Sequence, residues 1–566
     1  MEKRIVECVP NFSEGRDKAV IRQITSAIES SGGVKLLDVD PGEATNRTVV
    51  TFVGSPEAVI EAAFAGVKRA AELIDMRRHK GAHPRMGATD VLPLIPICGI
   101  TLAECAELAR KLAERIAAEL HVPTYCYEAA AFTPERRNLA VCRAGEYEAL
   151  PEKLAHKEAA PDFGARPFDD GVARTGATTV GARDFLIAVN FNLNTTSTRR
   201  ANAIAFDVRE KGRPVREGNP VTGKVVKDAA GNPVMQPGTL PATKAIGWFI
   251  EEYGIAQVSM NITDIATTPL HVAFDEVCRK ADARGVRVTG TEIVGLVPKR
   301  ALIEAGKYFL RKQRRSTGVA EQEIVRIAVR SMGLDDLKPF DPAEKVIEYL
   351  LEAEDKQKRL IDMTCKAFAE ETASESPAPG GGSIAAYMGA LGAALGTMVA
   401  NLSSHKAGWD DRWEEFSDWA ERGQAVLAEL LHLVDEDTAA FNRIMAVFAM
   451  PKSTDEEKAA RSAALQEATL YATEVPLRTM KAASRVFEIV RAMASEGNPN
   501  SVSDAGVGAL AARSAVLGAC LNVKINAAGL KDRAVADALI AEADALAAEA
   551  VRLEAEVLQI VESKIG

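Results

Sequence analysis

The chain has 566 residues, of which 47% are hydrophobic and 26% charged, and at about 100 to 200 residues per domain this length predicts about three compact units rather than one core. The composition is typical of a globular protein and excludes a largely disordered chain. The formal net charge of −10 gives no general attraction to nucleic acid or to an anionic membrane, so an anionic ligand requires a local cluster of basic residues.

The first residues, MEKRIVECVP, have neither the apolar core of an export signal nor an amphipathic leader. The eight cysteines are scattered, with no C-x-x-C pair and no histidine at zinc-ligand spacing. We therefore expect a cytoplasmic protein without disulfides or a structural metal.

The first part of the chain alternates strand-like and helix-like segments. Hydrophobic periodicity predicts strands at 4–12, 34–40, 47–53, 90–97 and 122–127, and helices at 18–30, 56–76 and 101 to about 120. Ser55-Pro56-Glu57 supplies an N-cap, a first-turn proline and an acidic residue for one helix, and Thr101-x-x-Glu104 is a capping box for another.

After residues 162–183, which we interpret as a loop, the same order of elements returns. Strands are predicted at 185–193, 243–250, 256–263 and 286–293, with helices at 197–211, 269–283 and 299–310. The consecutive pair of strands in each half indicates two α+β, ferredoxin-like subdomains, each with a mixed sheet and helices on one face. Thr-Gly and Gly-Asn signals within 218–240 predict a surface hairpin between them.

From about residue 338 the pattern becomes helical, which predicts an all-α helical bundle, with Asp341-Pro342 at the start of its first helix. The segment SESPAPGGGS at 374–383 is either a flexible linker or, because an Ala/Gly-rich helix follows directly, an ordered turn presenting N–H groups to an anion or a polar ring edge. That helix, 384–402, approaches membrane-spanning length, but its small residues favour a buried helix in a tight bundle.

One loop concentrates basic residues in this acidic chain: MRRHKGAHPRMG at 76–87. The four-residue spacing of His79 and His83 resembles a zinc pair, but Gly81 and Pro84 would break the helix that such a pair needs. The loop suits a carboxylate-rich ligand, or it is simply a solvated basic surface. A histidine with a near-neutral pKa is what transfer of a carbon unit between two nitrogens requires.

Polar residues at strand ends are further candidates. Asn11, Asp40 and the pair Asn46-Arg47 are placed to line a cleft, although such residues also serve as turn formers. In the helical part, Asp435 and Asp437 are two residues apart and so point in different directions, and a solvated acidic helix face is the competing interpretation.

Several long motifs carry a resemblance to a known family. In the first part they are VECVPNFSEGR at 6–16, LLDVD at 36–40, TNRTVVTFVG at 45–54, LIDMRRHKGAHPRMGATDV at 73–91, RAGEYEALPEKL at 143–154 and APDFG at 160–164, and these resemble the formiminotransferase domain. In the later part, SPAPGGGSIAA at 376–386, LVDEDTAAF at 433–441, MPKSTDEEKAARSAALQEAT at 450–469 and VPL at 475–477 are similar to the cyclodeaminase domain joined to it.

The resemblance implies an enzyme of histidine degradation with two activities. The first transfers the formimino group of N-formimino-L-glutamate to tetrahydrofolate, and the second converts the product into 5,10-methenyltetrahydrofolate and ammonia. The resemblance makes His83 the proton donor and acceptor of the transfer and Asp437 the acid of the deamination. It implies folate as a cosubstrate, with a polyglutamate tail that tethers it between sites, and a homo-oligomer, possibly an octamer.

By the same resemblance the segment beginning at Gly164 binds folate; its residues are Gly164, Ala165, Arg166, Pro167, Phe168, Asp169, Asp170, Gly171, Val172, Ala173, Arg174, Thr175 and Gly176. Asn11, Asp40 and Arg85 are candidates for binding substrate in the first part, and Gly381, Gly382 and Ser383 in the second. The division predicted is a first transferase subdomain at 1–183, a second at 184–330, a linker at 331–355 and a cyclodeaminase domain at 356–566.

Two alternatives remain. The helical domain is also similar to methenyltetrahydrofolate cyclohydrolases, which would open the methenyl ring with water instead of releasing ammonia. The other alternative is a non-catalytic folate-binding scaffold, which the presence of both His83 and Asp437 disfavours.

Overall fold

A computed structural model describes residues 4–42, 46–81, 85–219, 222–354 and 359–565. The chain divides into two compact units: Met1–Ala301 with Met332–Glu352, and Leu302–Ser331 with Ala353–Gly566. His83 lies outside the described residues. The first unit is α+β and the second is helical.

The first unit begins with a seven-stranded mixed sheet. Across the sheet the order is β3, β4, then β1 and β2 together, then β5, β7 and β6. The pairings from β3 to β5 are antiparallel, and those of β5 with β7 and of β7 with β6 are parallel. The strands are β1 (Ile5–Cys8), β2 (Asn11–Phe12), β3 (Val34–Gly42), β4 (Arg47–Gly54), β5 (Thr89–Cys98), β6 (Thr124–Glu128) and β7 (Thr178–Ala182).

Three helices pack on one face of this sheet: α1 (Lys18–Ser30), α2 (Pro56–Leu73) and α3 (Leu102–Leu120). Their starts follow the local chemistry that predicted them. The Ser55 hydroxyl accepts the N–H of Ala58 at 3.3 Å, and the Thr101–Glu104 capping box is formed in both directions. Because strand side chains alternate between faces, Leu92 and Leu94 of β5 join this core while Val91 and Pro93 face the other side.

A second, antiparallel sheet has the order β11-β12-β8-β13. Its strands are β8 (Ile187–Leu193), β11 (Thr243–Ile250), β12 (Ile255–Ile262) and β13 (Val288–Val294), and α7 (Thr198–Val208) and α8 (Leu270–Asp282) pack on it. The short strands β9 (Arg213–Pro214) and β10 (Met235–Gln236) pair antiparallel around the predicted hairpin insertion, which is confirmed.

The prediction of a loop at 162–183 was wrong. The segment contains α6 (Asp170–Thr175) and the fully buried strand β7, which lies between β5 and β6. Two further short helices, α4 (Leu139–Cys142) and α5 (Leu150–Ala155), precede it. A strand of five residues, TTVGA, is too short for periodicity to reveal, and its pairing with two neighbours far away in the chain supplies its stability.

The second unit is a bundle of long helices around a core rich in alanine and valine. It includes most of α9 (Lys299–Lys312) and α10 (Glu321–Met332), whereas α11 (Pro342–Lys345) and α12 (Ile347–Glu354) follow in the chain and belong mainly to the first unit. The remaining helices are α13 (Cys365–Thr372), α14 (Gly381–Ser404), α15 (Trp413–Phe448), α16 (Asp455–Glu496), α17 (Val502–Ala527) and α18 (Arg533–Ile565). Asp341 caps α11 as predicted, but the helix is interrupted at Val346, which pairs with Val297.

The glycine-rich segment ends in an ordered turn, and α14 begins at Gly381 with Gly380 as its N-cap. Helix α14 packs against α15, α16 and α17, and its small residues permit this close approach: a Cβ on Gly392 would lie 2.8 Å from the carbonyl oxygen of Gly508. Two helices of the described chain, Gly381–Ser404 and Pro499–Ala527, are long and apolar enough to cross a membrane, and 61% and 50% of their apolar windows are buried inside the protein.

Candidate functional site

The first unit has a cleft of about 1230 Å³ on the face of the seven-stranded sheet opposite α1, α2 and α3. Its floor is formed by residues that alternate with the core positions of their strands, such as Val49, Val91 and Tyr127. Lys244, Thr263 and Asp264, at the ends of β11 and β12, complete its lining. Both sheets of the first unit therefore contribute to one cavity.

Charged side chains dominate the lining of this cleft. The cations are Arg47, Arg137, Arg143, Arg183 and Lys244, and the anions are Glu128, Glu146, Asp184 and Asp264. The five cations exceed the four anions by one, in a chain whose net charge is −10, and the guanidinium groups offer paired donors to a ligand with carboxylates. Arg47 belonged to a predicted pair, and Arg143 and Glu146 lie in the motif at 143–154; the other residues were missed because they are scattered from position 128 to position 264 without a shared motif.

Asn11 lies in this cleft, where the sequence analysis expected it. Its Nδ2 donates to the carbonyl oxygen of Val9 at 2.8 Å. Its Oδ1 is buried and has no hydrogen-bond partner among the described residues. A buried acceptor without a donor costs about 1–3 kcal/mol, which a ligand N–H in the cleft would recover.

Asp40 and Arg85 lie elsewhere. Asp40 is exposed on β3, opposite Val49, and does not line the cleft. Arg85 is held by Glu148, with two contacts of 2.7 Å, and by Glu146 at 3.3 Å. These hydrogen bonds hold Arg85 to the segment around Tyr147, whose N–H donates to the carbonyl oxygen of Arg85 at 2.9 Å.

The residues that flank His83 pack against the predicted folate segment. The N–H of Met76 donates to the carbonyl oxygen of Arg174 at 2.8 Å, and that of Ala88 donates to Thr175 at 2.7 Å. Gly176 has φ +67° and touches the loop so closely that a Cβ would lie 2.3 Å from the carbonyl oxygen of Met86. Two segments that the sequence analysis selected separately are thus joined by backbone hydrogen bonds.

Other residues of the 164–176 segment have different partners. Asp170 pairs with Arg77 at 2.7 Å, and Phe168 lies edge-on to Tyr147 at 6.2 Å between ring centroids. Arg166, in contrast, donates to the carbonyl oxygen of His121 at the end of α3, at 3.3 Å.

The second unit brings Asp437 of α15 to the first turn of α14. The Ser383 hydroxyl donates to Asp437 Oδ2 at 3.0 Å, and a Cβ on Gly382 would lie only 2.1 Å from Asp437 Oδ1. Burial raises the pKa of Asp437, and the hydrogen bonds from Ser383 oppose that shift without cancelling it. Gly382, Ser383 and Asp437 therefore lie together, as a site formed at this turn requires.

The neighbouring Asp435 points elsewhere, as its spacing predicts. Its Oδ1 accepts the N–H of Leu360 at 2.6 Å, which places it at a short turn before α13. Asp435 is thus accounted for by local structure. Of the two carboxyl groups, only Asp437 contacts the glycine turn.

Asn522 of α17 lies on the other side of the turn and was missed by the sequence analysis. A Cβ on Gly381 would lie 3.5 Å from Asn522 Nδ2 and 3.8 Å from Oδ1. One turn further along α17, Asn526 donates from Nδ2 to the carbonyl oxygen of Ala472 at 2.7 Å. That carbonyl has lost its helical donor because Pro476 has no N–H.

No group of three or more His, Cys, Asp or Glu side chains suited to hold a metal ion occurs within the described ranges. The eight cysteines are all unpaired thiols.

The two units define a chain in which an α+β unit with a charged cleft precedes a helical unit whose half-buried Asp437 lies at a glycine turn. Family models match accordingly: "Formiminotransferase domain, N-terminal subdomain" over residues 5–183, "Formiminotransferase domain" over 188–352 and "Formiminotransferase-cyclodeaminase" over 364–545. The chain is 43% identical over 529 residues to the formimidoyltransferase-cyclodeaminase of Rattus norvegicus, covering 94% of this chain and 93% of that protein. It belongs to the formimidoyltransferase-cyclodeaminase family.

Relatives with one activity match one part each. The glutamate formimidoyltransferase of Streptococcus pyogenes serotype M1 is 42% identical over 307 residues, which is 54% of this chain and 93% of that protein. The methenyltetrahydrofolate cyclohydrolase of Methylorubrum extorquens is 40% identical over 202 residues, which is 36% of this chain and 97% of that protein.

Proposed function

We propose that this protein is a bifunctional folate enzyme of histidine degradation. The first unit transfers the formimino group of N-formimino-L-glutamate to tetrahydrofolate and releases glutamate. The second unit converts 5-formiminotetrahydrofolate into 5,10-methenyltetrahydrofolate and ammonia. The observation that carries the proposal is the half-buried carboxyl of Asp437, which Ser383 holds at the glycine turn and whose pKa burial raises, because release of ammonia needs a proton donor and a raised pKa favours the protonated acid.

In the transfer step, N5 of tetrahydrofolate attacks the formimino carbon and the bond from that carbon to the glutamate nitrogen breaks. One nitrogen loses a proton and the other gains one, and we assign this exchange to His83. The support is the position of its neighbours: the N–H groups of Met76 and Ala88 donate to the carbonyl oxygens of Arg174 and Thr175 in the segment ending at Gly176. The cationic cleft and the unpaired Oδ1 of Asn11 suit the carboxylates and the N–H groups of the two substrates.

In the deamination step, N10 attacks the formimino carbon, and the bond from that carbon to the terminal nitrogen breaks. The nitrogen leaves as ammonia only after it accepts a proton, which Asp437 donates. Overall, one proton is consumed and the methenyl cation forms. Burial raises the pKa of Asp437, which favours the protonated form that this step needs, and the hydrogen bonds from Ser383 oppose the shift.

A second candidate function applies to the second unit alone. The relative from Methylorubrum extorquens is named as a cyclohydrolase, and the same acid could serve hydrolysis of the methenyl ring. Supplying the full-length protein with 5-formiminotetrahydrofolate decides between them: stoichiometric ammonia with methenyl absorbance supports deamination, whereas hydrolysis of added methenyl-folate without ammonia release supports the cyclohydrolase. If the protein bound folate but had neither activity, it would be a scaffold.

Several finer features belong to the same proposal. Both sheets of the first unit share the strand order second-third-first-fourth around two helices, which supports two ferredoxin-like subdomains. We retain the division 1–183, 184–330, 331–355 and 356–566. Residues 164–176, together with Gly381, Gly382 and Ser383, are proposed to contact folate, and Asn11 in the cleft to contact substrate. For Asp40 and Arg85, which lie outside the cleft, a substrate contact stays a prediction from the sequence.

We also propose a polyglutamylated folate, no metal requirement, no nucleic-acid or membrane partner, a homo-oligomer, possibly an octamer, and a cytoplasmic location. Eight unpaired thiols support a reducing compartment. The test of the whole proposal is a steady-state assay of the purified protein with formiminoglutamate and tetrahydrofolate, following glutamate, ammonia and methenyl absorbance together. Glutamate release without the other two products would leave only the transferase half standing.

A further inference from the structure

Asp90 of β5 has a buried carboxyl group that joins two parts of the transferase unit. The residue is 1% exposed. Its Oδ1 accepts the N–H of Met86 at 2.9 Å, and its Oδ2 pairs with the guanidinium of Arg143. The hydroxyl of Thr179 donates to its carbonyl oxygen at 2.6 Å and fixes the backbone at this point.

The two partners of Asp90 belong to the two components of the transferase site. Met86 follows His83 by three residues and lies near the end of the basic loop at 76–87. Its carbonyl oxygen accepts the N–H of Ala177 at 3.1 Å, next to the predicted folate segment. Arg143 lines the cationic cleft. One carboxylate therefore determines where the loop ends and how a guanidinium in the cleft is oriented.

A contribution to folding stability does not by itself explain the buried pair of Asp90 and Arg143. A buried ion pair loses the hydration of both charges, and an apolar pair of similar volume is often as stable. Burial raises the pKa of Asp90, and Arg143 and the N–H of Met86 oppose the shift. In addition, Nε of Arg143 is buried without a hydrogen-bond partner among the described residues, so the pair leaves a donor unused beside the cleft.

We propose that Asp90 is a positioning residue of the transferase site: it holds Arg143 ready to bind a carboxylate of the formimino donor and fixes the end of the His83 loop. The inference rests on the proposed transferase function. Asp90 itself contacts no substrate. A planar guanidinium fixed at one end by Asp90 presents its remaining N–H groups to a carboxylate with little loss of entropy.

The chain contains a matched control for this pair. Asp162 accepts the N–H of Cys126 at 2.7 Å and the guanidinium of Arg136 at 2.6 Å, and its side chain is 9% exposed. Neither Asp162 nor Arg136 lines the cleft. Each aspartate accepts one backbone N–H and pairs with one arginine, and only the arginine paired with Asp90 lines the cleft.

The test compares Asp90→Asn with Asp162→Asn in the full-length protein. Both variants should lower the midpoint of thermal unfolding, because each weakens a buried ion pair. Only Asp90→Asn should raise KM for formiminoglutamate, by about tenfold, as loss of one charge-assisted contact predicts. The inhibition constant of glutarate, a dicarboxylate without the formimino group, should rise by the same factor, while KM for tetrahydrofolate changes less.

Equal KM values for formiminoglutamate in the two variants would overturn the inference, since Asp90 would then be an ordinary buried ion-pair partner. If Asp90→Asn does not fold, the test uses Arg143→Lys, which keeps a positive charge beside Asp90 but removes the planar guanidinium. An unchanged inhibition constant of glutarate in this variant would refute the proposed role of the Asp90–Arg143 pair. Absence of transferase activity in the wild type would refute the proposed function instead, and glutarate binding measured by calorimetry would still test the link from Asp90 to Arg143.

Discussion

Replacement of Gly382 by alanine tests the geometry of the second site with a single added methyl group. Gly382 occupies the first turn of α14, where its missing side chain lets Asp437 approach the backbone. An alanine Cβ would lie 2.1 Å from Asp437 Oδ1 and 2.6 Å from Cγ, whereas ordinary contact begins at 3.4 Å. The carboxyl therefore has to move by about 1 Å, and a displacement of that size at a reacting group costs about 100-fold in rate.

The assay is release of ammonia from 5-formiminotetrahydrofolate, with release of glutamate measured in parallel as the control activity. We expect kcat for deamination to fall by about 100-fold and glutamate release to stay at the wild-type rate. The matched control is Gly518→Ala in α17, where the new Cβ would meet Ala385 at an ordinary 3.4 Å. A Gly382→Ala protein with wild-type deamination would refute the contact between Asp437 and the turn as the basis of the site.

Three further predictions follow from named groups. Asp437→Asn should abolish ammonia release and leave glutamate release intact. Because the acid must be protonated and burial raises the pKa of Asp437, wild-type kcat for deamination should be constant at low pH and fall as pH rises through that pKa. A rate that is independent of pH would contradict the role of Asp437 as the acid. His83→Ala should lower kcat for transfer by about 100-fold or more without affecting deamination of supplied intermediate, and full transfer activity would remove His83 from the mechanism. Asn11→Asp adds a negative charge to the cleft and should raise KM for formiminoglutamate by about tenfold, an effect that salt should reduce; an unchanged KM would mean that the substrate carboxylates bind elsewhere.

Local signals predicted the long helices well. Asp17 caps α1 by accepting the N–H groups of Ala19 and Val20, and the helix spans Lys18–Ser30 as expected. The capping box at Thr101 likewise fixes the start of α3. These features depend on residues within one turn of each other, so the sequence contains all the information that they need.

Features that depend on distant partners were harder to predict. Strand β7 is stabilised by β5 and β6, which lie far from it in the chain, and its five residues carry too little periodicity to stand out. The cleft combines Asn11 with Lys244 and Asp264, and no spacing rule connects them. Asn522 was missed for the same reason, since only the fold places it beside Gly381.

Asp435 and Asp437 of α15 show what the resemblance to a known family added to the information in the residue spacing. Spacing alone established that Asp435 and Asp437 point in different directions, and it could not say which of them faces a pocket. The structure places Asp435 at a turn near Leu360 and Asp437 at the glycine turn. The resemblance had selected Asp437, and the geometry gives a physical reason for that choice.

The proline within α16 constrains how two helices of the bundle can slide past each other. Pro476 leaves the carbonyl of Ala472 dependent on a donor from α17, and Asn526 provides it at 2.7 Å. A shift of α17 along α16 by one turn, about 5.4 Å, would leave that oxygen buried without a donor. This hydrogen bond therefore favours a single register of α17 along α16. In that register Asn522 lies beside Gly381 at the start of α14.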